Sequence, residues 1–214
     1  MKKKIFIVDD HEIVRLGLMQ IINKRENLIV CGEADNTLDA LKRIEEQNPD
    51  LAIVDISLKD SNGLELIKDI RVRFPKLPTL VLSIYDESIY AERALRAGAS
   101  GYIMKQELTD SVILAIQTIL SGRKYLSSDM SIRMAELYIE NKGDKEKNPV
   151  SVLSDRELEV FEMFGRGLTT KEISEKLNLS IKTIGNYREN IKKKLNLSNT
   201  NEIVRFAAQS GLLK

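Results

Sequence analysis

An α/β domain with a parallel sheet, followed by a small all-α domain, is the fold class this sequence predicts. Three observations carry it. Up to Gly122, five short apolar runs alternate with five stretches of helical spacing. The run Leu51-Ala-Ile-Val-Asp55 shows no apolar-polar alternation, which suits a central strand covered on both faces. Beyond residue 150 no strand pattern appears, and helix-start signals follow at short intervals.

After a polar start at Met1–Lys4, Ile5–Val8 reads as the first strand and runs into Asp9, Asp10, His11 and Glu12. The helix after it carries Ile13, Val14, Leu16, Leu18, Met19 and Ile22 as its apolar residues. Leu28–Cys31 is a short second strand and Ala34–Asn36 a loop; Thr37–Glu46 is helical until Asn48-Pro49-Asp50 stops it. The third strand ends at Asp55, and Asn62-Gly63 then signals a turn in which glycine permits a positive φ. Leu64–Phe74, Ser88–Ala97 and Leu108–Leu120 read as helices, closed by Pro75, Gly98 and Gly122. Thr79–Ser83 and Gly101–Met104 are the remaining strands.

Three zones follow: 1–125, a connecting stretch 126–150 with a helical pattern at Ser128–Asn141, and 151–214. Asn141–Pro149 holds no large apolar residue and reads as a solvated linker. In the last zone Ser154 caps a helix running to Phe164, and Thr169 or Thr170 caps Lys171–Leu177. Asn178-Leu-Ser180 is a short turn, Ser180 caps Ile181–Leu195, and a final helix starts at Thr200 or Asn201 and ends near Gly211. Helix, tight turn and basic second helix make a helix-turn-helix signal.

Charge is uneven although the formal net charge is only +1. Residues 1–125 hold 18 basic and 19 acidic groups (−1), 126–150 hold 4 and 5 (−1), and 151–214 hold 11 and 8 (+3). A basic patch of this kind is the footprint of a nucleic-acid surface. Cys31 is the only cysteine, so a disulfide framework and a cysteine metal site are excluded; it reads as buried filler in its strand. His11 is the only histidine and needs no function where it stands, at a helix start after two acids. The apolar run near the N-terminus is too short for a signal peptide or membrane span, which makes the cytoplasm the simplest location.

In a parallel sheet, ligands bind beyond the carboxyl ends of the strands. Asp9, Asp10, Asp55, Ser83 and Lys105 all stand at such ends. Any one could be a solvated strand-end residue; five together favour a site. The three carboxylates suit a hard divalent cation such as Mg2+. No Gly-rich phosphate loop is present, so a small phosphoryl group fits better than a nucleotide. Asp55 can act as the nucleophile that becomes an aspartyl-phosphate, with Lys105 and Ser83 on its oxygens. Tyr102 is either packing or an aromatic switch that responds to Ser83. In the second helix of the last zone, Ile181, Ile184 and Ile191 recur as a buried stripe continued by Leu195. Lys182, Thr183 and Asn186 are then candidates for base edges, and Arg188, Lys192, Lys193 and Lys171 for phosphates.

These residues carry a resemblance. Asp9-Asp10-His11, Asp55, Asn62-Gly63, Ser83, Ala97–Tyr102 and Lys105 resemble the receiver domain of bacterial response regulators. Leu153-Ser-Asp-Arg-Glu157-Leu-Glu159-Val160, Gly167–Leu177, Ser180–Ile184 and Arg188–Leu195 are similar to the LuxR-type DNA-binding domain of NarL/FixJ regulators. The resemblance implies a flavodoxin-like first domain in which Asp9 and Asp10 bind magnesium with Asp55. It also implies a sensor histidine kinase as phosphoryl donor, double-stranded DNA as target and a homodimer on it. Lys59 stands where the family commonly has proline, Thr170 where asparagine is common, Gly185 where lysine is frequent and Tyr187 where histidine is frequent. The last three bear on base preference. The competing readings are a small α/β phosphatase with Asp55 as nucleophile, and an interaction protein whose first domain is never phosphorylated. The phosphatase would leave the basic helical domain unexplained, and no further acid stands ready to protonate a leaving group.

Overall fold

Five parallel strands, β1 (Lys3–Val8), β2 (Leu28–Ala34), β3 (Leu51–Asp55), β4 (Thr79–Ser83) and β5 (Gly101–Met104), form one sheet in the order β2-β1-β3-β4-β5. They belong to a computed structural model that describes residues 1–58, 62–140 and 149–209. The loop at Asp60, most of the predicted linker and the predicted helix end at Gly211 lie outside those residues. The chain divides into two compact units, Met1–Glu140 and Asn141–Lys214.

The inner strands earn their place by composition. Every residue of β3 and β4 is buried, as unbroken apolar runs between two helical layers require. The helices between the strands are α1 (Glu12–Asn23), α2 (Thr37–Gln47), α3 (Gly63–Arg73), α4 (Glu87–Ala97) and α5 (Leu108–Leu120). One core layer joins Ile5, Ile7, Ile53 and Leu82 of the sheet to Leu18 and Ile22 of α1 and Val112 and Ile116 of α5. Burying each such side chain contributes about 1.5–3 kcal/mol.

β2 is longer than the sequence predicts and takes in Gly32–Ala34. The ladder explains the difference. Val30 pairs with Ile5 and Gly32 with Phe6, so Cys31 is the extra residue of a bulge. β2 is also an edge strand, and Cys31 is half-buried there rather than fully buried. Gly63 corrects a second expectation. It takes no positive φ; it opens α3, and a Cβ built on it would lie 2.0 Å from the Asp55 carbonyl oxygen. Glycine stands there for close approach of α3 to the end of β3. Gly98 closes α4 at φ 122°, as its position predicts.

The helix α6 (Ser128–Glu140) groups with the first unit and touches α4. The second unit holds α7 (Asp155–Gly165), α8 (Thr170–Lys176), α9 (Ile181–Leu195) and α10 (Thr200–Gln209). Ser154, Thr169 and Ser180 cap the first three, the former two in reciprocal capping boxes with Glu157 and Glu172. Phe161, Ile173, Ile184, Ile191 and Ile203 form the centre of this bundle, all fully buried.

Candidate functional site

Strand register assembles the first site. Val8 pairs with Val54, so the next residues, Asp9 and Asp55, emerge side by side. Asp55 pairs with Leu82, and Ser83 with Met104, which brings Ser83 and Lys105 to the same end. Asp9 and Asp55 are each 1% exposed, and Ser83 is fully buried. The Lys105 ammonium lies 2.7 Å from Asp9 Oδ2 and 2.8 Å from Asp55 Oδ2. The second Asp55 oxygen, Oδ1, accepts from the Ser57 backbone N–H at 3.1 Å.

Burial pushes the Asp55 carboxyl up to about 6; Lys105 pulls against that rise, and Asp9 adds to it. Burial also works to lower the Lys105 ammonium, but the Asp55 and Asp9 carboxylates outweigh it and hold it above its ordinary value. One cation between two buried carboxylates leaves negative charge in excess. Asp9, Asp10, His11 and Asp55 offer ligand atoms within 4.8 Å of one another. Asp9 Oδ2 and Asp10 Oδ1 are buried and accept no hydrogen bond of good geometry, although cationic or imidazole nitrogens lie 2.7 Å away. Clustered carboxylate oxygens around excess negative charge fit a hard divalent cation such as Mg2+. The His11 imidazole is a poor ligand for it and stands more than half exposed against Asp10.

Tyr102 is buried, and its hydroxyl donates to the Tyr85 carbonyl at 2.9 Å. Ser83 Oγ accepts from the Tyr85 N–H at 3.1 Å. Two further residues support the site: Arg15, which the sequence does not single out, and Gly63, which the sequence marks only as a turn. Arg15 donates to the Asp9 carbonyl at 2.7 Å, and Gly63 admits α3 against Asp55. Neither contact shows in the spacing, because each is set by how the following helix packs back against the strand end. At the other end of the sheet a cavity of about 350 Å3 is lined by Lys3, Asp50, Lys76 and Lys124 among others, and contains none of the predicted site residues.

On α9, Lys182, Asn186 and Lys193 are exposed and share a face with Glu189. Ile184 and Ile191 are buried as predicted, but Ile181 is 58% exposed. It is the first residue of the helix, where side chains lean back past the helix end and leave the packed stripe. Thr183 is half-buried; its N–H and hydroxyl both meet the Ser180 hydroxyl, at 3.0 and 2.7 Å. Arg188 and Lys192 are drawn to Glu189, at 3.4 and 2.8 Å, and Lys171 lies 3.9 Å from Glu175. Lys194 turns inward to Glu157 at 2.6 Å and ties α9 to α7. A Cβ on Gly185 would meet nothing within 4 Å, so folding of the unit does not demand glycine there.

Residues 5–117 match the family described as response regulator receiver domain, and residues 151–207 match bacterial regulatory proteins of the luxR family. The chain is 34% identical to the oxygen regulatory protein NreC of Staphylococcus carnosus (strain TM300), over 98% of its own length and 99% of that protein's. Among solved structures it is similar to RcsB from Salmonella enterica serovar Typhimurium bound to promoter rprA in the presence of phosphomimetic BeF3-. The identity is 26%, the coverage 97% of this chain and 99% of that one, and the TM-score 0.66. A structure of two RcsB dimers bound to two parallel DNAs is also similar, at 26% identity, 97% and 98% coverage and a TM-score of 0.58.

Proposed function

The chain belongs to the response regulators that join a receiver domain to a LuxR-type DNA-binding domain, and on that premise we propose that Asp55 takes the phosphoryl group from the histidine of a sensor kinase. The protein is a phosphorylation-dependent, DNA-binding transcription regulator. The observation that carries the assignment is the placement of Asp55: buried at the end of a central strand, beside Asp9, with Lys105 reaching both carboxylates.

An Asp55 oxygen attacks phosphorus, the bond to the donor's imidazole nitrogen breaks, and that nitrogen takes up a proton from water. Near pH 7 a carboxyl held at about 6 is mostly ionised and therefore competent. Lys105 transfers its contact from the Asp55 carboxylate to a phosphoryl oxygen, and the Ser83 hydroxyl donates to another. Asp9 and Asp10, with Asp55, would hold magnesium, which when bound neutralises charge on the transferring group. Ser57 orients the Asp55 carboxylate through its backbone N–H, and Arg15 holds the backbone carbonyl of Asp9.

The second unit binds double-stranded DNA through α9. Its exposed Lys182 and Asn186 meet base edges, and Lys193 a phosphate. Arg188, Lys192 and Lys171 reach phosphates on leaving their acidic neighbours, and Thr183 acts first as a cap partner. The RcsB dimers on DNA support a homodimer as the form that binds. Among the described residues no helix is long and apolar enough to cross a membrane. DNA as target and a kinase as donor favour the cytoplasm as the place of work.

The test is labelling with acetyl phosphate in magnesium, read by intact mass. The wild-type chain gains one phosphoryl group and Asp55→Asn gains none, because an amide supplies no carboxylate nucleophile. Undiminished labelling of the variant overturns the assignment.

A further inference from the structure

The segment Ser83–Glu87 leads from the phosphoacceptor end of the sheet into the first turn of α4, and contacts at Ser83, Tyr85 and Glu87 are among those that tie it down. Ser83 Oγ takes the Tyr85 N–H at 3.1 Å, and the Tyr85 carbonyl takes the Tyr102 hydroxyl at 2.9 Å. The third of these is Glu87. Its Oε1 accepts from the Ser127 N–H at 3.1 Å, and its Oε2 from the Ser127 hydroxyl at 2.5 Å. Both bonds are charge-assisted and half-buried, and both end on one residue, so they are made or lost together.

Ser127 is the start of α6. Its hydroxyl oxygen accepts from the Met130 N–H at 3.0 Å and its carbonyl from the Ser131 N–H at 2.9 Å. By fixing the hydroxyl hydrogen, Glu87 turns the remaining lone pairs of that oxygen toward Met130. The chain just before Ser127 is anchored elsewhere: the Tyr125 carbonyl accepts from the Tyr102 N–H at 3.1 Å, and the Tyr125 N–H donates to the Ser100 carbonyl at 3.0 Å. Tyr125 is thus bound to the sheet, while Ser127 is bound to the helix that follows Ser83.

We infer that Glu87 is a positioning residue that couples the state of Asp55 to the first turn of α6, the helix through which the first unit continues toward the second. The inference rests on Asp55 as the phosphoacceptor. When Ser83 turns its hydroxyl to a phosphoryl oxygen, the strap from Ser83 to Glu87 follows. Glu87 withdraws from Ser127, and the cap on α6 loosens. An equilibrium coupling of this kind is reciprocal: breaking the clamp must make the phosphorylated arrangement easier to reach.

The experiment uses the full chain with magnesium and beryllofluoride as phosphoryl mimic. Two quantities are read: amide hydrogen exchange at Met130 and Ser131, and beryllofluoride affinity. In the wild type the mimic speeds exchange at both amides, by roughly ten-fold for a coupling of ordinary size. Glu87→Ala exchanges fast without the mimic, gains nothing on adding it, and binds beryllofluoride tighter by a similar factor. Glu87→Gln keeps an oxygen for the Ser127 N–H and falls between the two. A clamp that only supported α6 would change exchange and leave beryllofluoride affinity alone. Equal affinity in wild type and Glu87→Ala, or exchange at Met130 unmoved by bound mimic, overturns the coupling. No binding of the mimic by the wild type overturns instead the phosphoacceptor reading beneath it.

Discussion

Asp55 is held in a state that its role demands and its burial opposes. Its ordinary value is 3.8, and the fold raises it to about 6. Between those values the folded chain binds more protons than the unfolded one, so this group removes stability as pH rises through the window and costs its full amount above 6. That amount is up to about 3 kcal/mol, with the opposing pull of Lys105 already contained in the shifted value. In the absence of divalent cations, Asp55→Asn should therefore raise the stability of the first unit more at pH 8 than at pH 5, measured by urea midpoint. An equal gain at both pH values would contradict the burial argument. The same residue shows what a chain can tell unaided. An acid after four apolar residues is visible in the sequence; that Asp9 lies beside it follows only from the pairing of Val8 with Val54.

Elements were legible where their signals are local. Ser154 and Ser180 each sit three residues before the N–H they cap, so the starts of α7 and α9 could be read directly; for α8 the sequence left Thr169 and Thr170 open, and the cap is Thr169. The Cys31 bulge and the Lys194–Glu157 tie could not, because each depends on a partner distant in sequence, nor could the close approach at Gly63, which depends on how α3 packs against the end of β3. Helix α9 also shows that basic residues are not equivalent. Lys182 and Lys193 are exposed, and no ion pair of either appears among the described residues, whereas Lys192 is held by Glu189. Lys193→Ala should weaken binding about equally on specific and random duplexes and lower the salt slope by roughly 1. Lys182→Ala should cost about 1–3 kcal/mol on the preferred site and less on random DNA. Titrations on both duplexes at several salt concentrations measure this; equal losses for Lys182→Ala on the two would remove it from base recognition.

At the scale of the molecule, charge and function divide alike: the first unit, at −3 over residues 1–140, carries the carboxylate site, and the second, at +4 over residues 141–214, carries the basic helix. Acetyl phosphate and magnesium should shift the full chain toward a dimer in sedimentation velocity, and tighten binding to a two-half-site duplex. A mass unchanged by the donor, with unchanged DNA affinity, would separate assembly from phosphorylation. The grouping of α6 with the first unit bears on how such chains can be recombined. A cut at residue 125, where the last sheet-bound segment ends, discards Ser127 and leaves the Glu87 carboxylate without the N–H and hydroxyl it accepts from. Chimaeras joined there would carry a sensor part whose helix α4 has lost its brace. The exchangeable module runs to Glu140, and a graft made at that point would transplant the carboxylate site with its lever intact.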